Sequence, residues 1–375
     1  MSFFAGDSTT LTRAARIHID SEALQHNLKR AKSLAGNSKI MAVVKADAYG
    51  HGVLSVVEAL SAADAFALAM TDEAVRLRTL GITKPLVVFH GFANVEELEL
   101  MFEFNLQPVI HQLWQIDLLE KFSERQLPAK APAVQTPEAQ IKIWIKIDTG
   151  MHRLGIPEED AAMAYSRLKA CAAVEEIRVM SHFANADEPS HTYNKKQLSS
   201  LTTAVKNIGV ESSMANSAAL IAMPESHLQW VRPGIMLYGS SPLTGKTAEE
   251  LDLKPVMTFE SRLCATRLLK KDDVIGYGST WRCPEDMQVG IVAAGYADGY
   301  PRHAKSGTPV WINGVNCPLL GRVSMDSICV DLREIEAEAG DRVVLWGKEL
   351  SVDVVAKNAD TISYELLCSA SRSRV

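Results

Sequence analysis

In "MAVVKADAYGHG" (residues 41–52) an apolar run ends on the amine of Lys45 and small residues follow. A lysine so placed is open to desolvation, which lowers its pKa and frees the amine for Schiff-base chemistry. Tyr49 stands four positions on, where its hydroxyl could reach a phosphate or its ring could simply pack. Other residues with useful chemistry also follow apolar runs. "KIDTGMHRLG" carries Lys146 and Arg153, "SHFANAD" carries His182 and Asp187, "ANSAAL" carries Asn216 and Ser217, and "VRPGIMLYG" carries Arg232, Gly234 and Ile235. Each has an ordinary reading as well. Arg153 fits a surface ion pair, His182 a hydrogen-bonded structural histidine, and Ser217 a helix N-cap. A cap is also where backbone N–H groups meet an anion. Two lysines, two arginines, a histidine and several hydroxyls at one set of strand ends say more together than any one alone.

The elements that must position them repeat. Short apolar runs at 39–44, 65–70, 85–90, 107–111, 141–147, 176–182, 211–216 and 232–238 alternate with segments of helical spacing. Eight strand–helix repeats with strands apolar on both faces point to a parallel sheet, and that count suits a closed (β/α)8 TIM barrel. In such a barrel, sites form at the carboxyl ends of the strands, with phosphate favoured after strands seven and eight, where Asn216, Ser217 and Gly234 fall. An open doubly wound sheet would want G-x-G-x-x-G after its first strand, which is absent. Residues 123–140, with three prolines, read as a surface loop.

The beat changes near Ser241. Short strands then follow with few helices, and Asn313–Gly314 reads as a hairpin turn. The expected class is α/β, with a barrel over 12–240 and a mostly-β domain over 241–375. The second domain has candidates of its own: Tyr277 in "GYGSTW", Tyr296 in "GYADGYPR", Arg322 and Met325 in "GRVSMD", and Tyr364 in "SYELL".

Composition narrows the class. The chain has 375 residues, a formal net charge of -6 and no basic cluster with interleaved aromatics, so no nucleic-acid partner is expected. Its six cysteines form no C-x-x-C pair and no H-E-x-x-H motif occurs, so neither a disulfide framework nor a metal site is expected. No signal-peptide pattern opens the chain and no apolar stretch is long enough to span a bilayer, so a cytoplasmic location with no membrane partner is expected.

Taken in order, "AVVKADAYGHG", "KIDTGMHRLG", "SHFANAD", "ANSAAL", "VRPGIMLYG", "GYGSTW", "GYADGYPR", "GRVSMD" and "SYELL" resemble the signature blocks of alanine racemase, a pyridoxal-phosphate enzyme of fold type III that interconverts L- and D-alanine. The resemblance runs from about residue 12 to the C-terminus. It implies that Lys45 holds pyridoxal 5'-phosphate and is the base on one face of the substrate Cα, with Tyr277 the base on the other. Family members act as homodimers with shared active sites, so Tyr277 would come from the second subunit. Tyr49, Ser217 and Tyr364, with the neighbouring Asn216 and the backbone N–H groups of Gly234 and Ile235, would hold the phosphate. Arg232 would face the pyridine nitrogen, and His182 would link Arg232 to Tyr277. Arg153 and the Met325 N–H would bind the substrate carboxylate. Lys146 would be carbamylated and fix Arg153. Asp187, Tyr296 and Arg322 would line the corridor that substrate uses. The biological role implied is D-alanine supply for peptidoglycan synthesis, or alanine catabolism.

Three letters depart from the family's usual form: Ser324 where cysteine is frequent, Trp281 where tyrosine is common, and His152 in place of a smaller residue. They bear on pocket size and access. A basic-amino-acid decarboxylase of the same barrel would want an acid where Arg232 stands. Broad-specificity racemases commonly carry export signals. A barrel that only binds the cofactor would need neither Tyr277 nor the β domain.

Overall fold

The computed structural model describes residues 14–126 and 140–370. It divides into two compact units, one of 20–254 and one of 1–19 with 255–375.

The first unit is the closed barrel. Parallel strands Lys39–Val43, Ala65–Leu68, Leu86–Val88, Gln107–Ile110, Ile141–Asp148, Val174–Met180, Ser212–Ser213 and Trp230–Val231 pair in sequence, and the last returns to the first. Helices occupy the connections. That of Ser21–Ala35 starts where the Asp20 carboxylate accepts from the Ala23 N–H at 2.9 Å, and buries Leu24, Leu28 and Ala31 on one face. Five apolar runs contain their strands, and two more overlap theirs: Ile141–Asp148 runs one residue past its run and Val174–Met180 starts two residues before its run. The eighth differs: the strand is Trp230–Val231, and Ile235–Tyr238 is a 3-10 turn rather than part of a strand. Pro233 has no N–H to donate, so the ladder stops there. Residues 123–126, read as loop, continue the helix Leu113–Gln126 instead; the rest of that stretch up to 139 lies outside the described residues.

The strand "IKIWIKID" shows which side chains fill the barrel. Trp144 and Trp230 meet edge to face at 5.7 Å although two strands separate them, so both point inward. The Arg178 guanidinium lies 5.5 and 5.2 Å from their rings, and Glu211 accepts from Trp230 Nε1 at 2.7 Å and Arg178 Nε at 3.1 Å. Alternation along a strand then places Lys146 and Asp148 on this inner face, nearer the carboxyl end.

The second unit is mostly antiparallel. Strands Met257–Leu269, Met287–Val292, Ile328–Asp331, Val315–Leu320, Pro309–Ile312 and Arg342–Trp346 pair in that order, and the last closes on the first. Asn313 and Gly314 both take positive φ, 45° and 91°, as the hairpin reading requires. Arg16–Ile19 joins this sheet by antiparallel pairing with Met257–Glu260, a non-local pairing with no local sequence signal. Residues 241–254 go with the barrel unit. In the core of the β unit Tyr300 stacks on Trp346, and Phe259 meets Trp346 edge to face.

Candidate active site

Immediately after Lys45 the backbone does something rare. Ala46, Asp47, Ala48 and Tyr49 all take left-handed conformations, with φ of 54°, 50°, 55° and 53°. Such residues cost roughly 1–2 kcal/mol each, so their surroundings must hold them. They are held. Glu73 Oε1 accepts from the Ala46 N–H at 2.7 Å, Asp47 Oδ1 accepts from the Val53 N–H at 2.8 Å, and the turn closes through Ala48 N–H to Val44 O and Gly50 N–H to Ala46 O. Alanine, aspartate and glycine tolerate this better than branched residues do, which explains the composition of the stretch. The turn carries Tyr49 back over the barrel mouth. Its ring packs at 4.7 Å on Tyr238, whose other neighbour is the His51 ring at 4.6 Å. Tyr238 Oη donates to Val43 O at 2.9 Å, tying this stack to the first strand.

Tyr49, Ser217 and Gly234 converge. A Cβ on Gly234 would lie 2.6 Å from the Tyr49 hydroxyl, so the glycine is what lets that hydroxyl approach. Ser217 Oγ accepts from the N–H groups of Gly234 at 2.8 Å and Met236 at 3.4 Å. A hydroxyl that accepts twice keeps its own proton to donate. Asn216 caps the short helix Ser217–Ala222 by accepting from the Ala219 N–H at 3.0 Å, and Ile235 is buried at the start of the 3-10 turn. The Gly234 N–H, expected for phosphate, is therefore already given to Ser217.

Around this cradle stand cations with few anions among them. Arg232 is buried and donates to Ser213 Oγ at 2.5 Å, to the carbonyls of Ser181 and Met214, and lies 3.4 Å from His182 Nδ1. Burial pushes it down to about 10, still protonated at neutral pH. Burial, then Arg232 and Arg153, push Lys146 down to about 8. Burial and the charges of Arg232, Lys146, Arg153 and Lys45 hold His182 well below its ordinary value, so it is neutral. The largest positive influence on His182 is Arg232's, and a neutral imidazole can relay that field but adds no charge of its own. Arg153 is exposed on the loop after Ile141–Asp148. That loop is braced by Asp148, which accepts from the N–H groups of Gly150 and His152 and lies 3.0 Å from the His152 ring. Asp187 is exposed in the loop after the sixth strand and accepts from the Thr244 N–H at 3.0 Å.

The β unit gathers its own group. Tyr277 tips a small hairpin whose strands are Val274–Ile275 and Trp281–Arg282, and its ring is 68% exposed. Ile275 is buried against Cys283, Met287 and Leu320, with Trp281 packed alongside, so the hairpin has an anchored base and a free tip. Tyr277, Gly276 and 324–327 line an open cleft of about 530 Å³. Arg322 lies over Gly278, where a Cβ would come 3.2 Å from its Nη1. The Tyr296 N–H donates to Ser324 O and that of Ala297 to Met325 O, fixing one loop on the other. Tyr364 is partly exposed in the helix Ser363–Ala370.

Sequence reasoning missed His111. It is buried, follows the strand Gln107–Ile110, and its Nε2–H donates to His90 O at 3.0 Å. The signal was available in "QPVIH", whose final residue is polar at a barrel-strand end.

The family model for "Alanine racemase, N-terminal domain" matches residues 19–242, and that for the C-terminal domain matches 256–375. The alanine racemase of Nitrosococcus oceani is 48% identical over 352 residues, covering 93% of this chain and 95% of that protein. That of Vibrio parahaemolyticus is 44% identical, covering 95% and 96%. The crystal structure of biosynthetic alanine racemase from Pseudomonas aeruginosa superposes with a TM-score of 0.88 at 39% identity, covering 96% of this chain and 97% of that one. The alanine racemase from Bartonella henselae, solved with covalently bound pyridoxal phosphate, gives a TM-score of 0.85 at 26% identity, covering 95% and 97%. Matched in both domains and along almost its whole length, the chain belongs to the alanine racemase family of isomerases.

Proposed function

We propose that the chain interconverts L- and D-alanine with pyridoxal 5'-phosphate, using Lys45 and Tyr277 as proton-transfer groups on opposite faces of Cα. The observation that carries the reading is the anion cradle beside Lys45. There the Tyr49 hydroxyl presses on Gly234, and the Ser217 hydroxyl keeps a proton to give. With Arg232 and Arg153 both close enough to act on Lys146, the donor set suits a phosphate-bearing, anionic cofactor.

When bound, the cofactor supplies the electron sink that makes the Cα proton of alanine removable. Lys45 Nζ holds the group and moves a proton at one face of Cα. Tyr277 Oη moves a proton at the other, which inverts the centre. Tyr49 Oη, Ser217 Oγ, Tyr364 and the Ile235 N–H would hold the phosphate, with Asn216 fixing the turn and the Gly234 N–H orienting the Ser217 hydroxyl. Arg232 would face the cofactor's pyridine nitrogen, and a guanidinium cannot readily give up its proton. That would leave the group a weaker electron sink and restrain transamination. His182 passes Arg232's field toward Tyr277. Arg153 and the Met325 N–H orient the substrate carboxylate. Asp187, Tyr296 and Arg322 line the corridor. Lys146 as a carbamate would turn a strained cation into an anion beside Arg153 and Arg232.

The working unit is proposed as a homodimer in which Tyr277 serves the partner's Lys45, with the barrel unit of 20–254 binding cofactor and the β unit reaching across. A ring 68% exposed at the tip of an anchored hairpin, with Leu268, Val274 and Met325 also exposed, suits delivery to a second copy. Among the described residues no helix is long and apolar enough to cross a membrane, and a cytoplasmic role in D-alanine supply or alanine catabolism is part of the same proposal.

Mixing tests the reading. Lys45→Ala and Tyr277→Phe variants, each nearly inactive, should regain activity toward a quarter of wild type when refolded together. No gain would overturn the shared site, and a fully active Tyr277→Phe would overturn its role.

A further inference from the structure

His111 and Lys146 face each other inside the barrel mouth. Strands Gln107–Ile110 and Ile141–Asp148 are parallel, with Val109 opposite Trp144 and Ile110 opposite Ile145. One step further, His111 stands opposite Lys146. In-register neighbours of a parallel pair share a face, and Trp144 marks that face as the inner one. His111 is only 8% exposed. Its Nε2 bonds to a backbone carbonyl at 3.0 Å, and a carbonyl can only accept, so in the neutral ring the proton is on Nε2 and the lone pair on Nδ1. Among the described residues nothing donates to that buried Nδ1. A buried acceptor without a donor is costly and asks for a function.

We propose that His111 is a positioning residue for the modification of Lys146: its Nδ1 takes the proton that the amine releases when carbon dioxide adds, and keeps it beside the carbamate. The step balances. The Nζ lone pair forms a bond to the carbon of CO2, one C=O electron pair moves onto oxygen, one N–H bond breaks, and its proton binds Nδ1. Neutral amine, neutral imidazole and CO2 become a carbamate paired with an imidazolium.

The surroundings favour the exchange. Burial, then the charges of Lys146 and His90, hold His111 below its ordinary value before the step. Lys146 itself faces Arg232, Arg153, Lys45 and the carboxylate of Asp148, with His182 at the same end. Once Lys146 is an anion, its effect on His111 reverses sign and stabilises the imidazolium. The proposal rests on the reading of Lys146 as carbamylated.

The test uses the holoenzyme with 13C-bicarbonate and detects the carbamate carbon by NMR, with Lys146→Gln to assign it. The wild type should show a Lys146-dependent resonance. His111→Gln, which can accept a hydrogen bond but cannot hold a proton, should need about tenfold more dissolved CO2 for half-occupancy. It should also lose occupancy at a higher pH than the wild type. Unchanged half-occupancy and pH profile would overturn this proposal alone. No Lys146-dependent resonance in the wild type would overturn the carbamylation reading and this proposal with it. Because the variant could misfold, 15N-histidine spectra of the wild type read the same ring directly. One histidine should become doubly protonated in step with the carbamate signal, and a ring that stays neutral would overturn the idea.

Discussion

Gly234→Ala tests the cradle where the structure is least forgiving. The new Cβ would sit 2.6 Å from Tyr49 Oη, 3.4 Å from Tyr49 Cζ and 3.6 Å from Val43 Cβ. Carbon and oxygen do not approach to 2.6 Å, so something must shift. The hydroxyl cannot swing aside as a flexible chain end would. It is fixed to a ring packed at 4.7 Å on Tyr238, on a left-handed turn with its own bonds. Nor can Gly234 easily withdraw, because its N–H is held by Ser217 Oγ at 2.8 Å. Overpacking of this kind costs about 1–3 kcal/mol. The substitution should lower the melting temperature of the apoenzyme and weaken pyridoxal-phosphate affinity about tenfold or more, followed by the cofactor's visible absorbance. The informative variant is the double one. Tyr49→Phe removes the clashing oxygen and leaves the nearest contact at 3.4 Å, so it should restore most of the apoenzyme stability lost in Gly234→Ala. It should not restore cofactor affinity, since the hydroxyl is gone. Strictly additive stability effects would refute the geometry.

Three further outcomes follow from the same site. Burial lowers Lys146 from 10.5 to about 8, so the folded state disfavours its charge by about 3 kcal/mol, a cost present below pH 8 and relieved as pH rises toward 10.5. In CO2-depleted buffer Lys146→Met should therefore be more stable than wild type at pH 7, with the gap closing by pH 10.5 in urea titrations; a constant gap would contradict it. Arg232→Glu should raise the number of transaminations per racemisation, measured as pyruvate formed, whereas an unchanged ratio would count against Arg232 as the restraint. At the other end of the barrel, Glu211 is held below its ordinary 4.5, despite burial, by bonds from Lys39 and Trp230, so it stabilises above that pH and loses its contribution as pH falls. Glu211→Gln should cost about 1–3 kcal/mol at pH 7 and flatten the acid limb of the stability curve.

Much of the barrel was legible because its strands are short apolar runs between helical patterns, and seven of the eight overlap the runs expected, five of them lying wholly within. The eighth was misplaced because "RPGIMLY" is as apolar as a strand, while Pro233 and Gly234 turn it into the cradle. The place of Lys45 just beyond a strand end was legible, as the strand Lys39–Val43 shows. The left-handed turn beyond it was not, since "ADAYG" reads as an ordinary loop and its conformation depends on Glu73 and Tyr238 reaching it from elsewhere. His111 escaped for a related reason: its meaning comes from being in register with Lys146, and register between strands separated by a helix and a long connection is not written in either one. The Arg16–Ile19 strand shows the same limit, pairing with residues more than two hundred positions away.

The central claim is that two groups, one on each face of Cα, exchange protons with solvent. Its most direct test is the first turnover of L-alanine in heavy water by the holoenzyme, with the isotope at Cα read by mass spectrometry after separating the enantiomers. The account predicts D-alanine carrying deuterium at Cα while unreacted L-alanine remains largely unlabelled. D-alanine that retains the original proton, or bound cofactor with no isotope exchange at all, would contradict it.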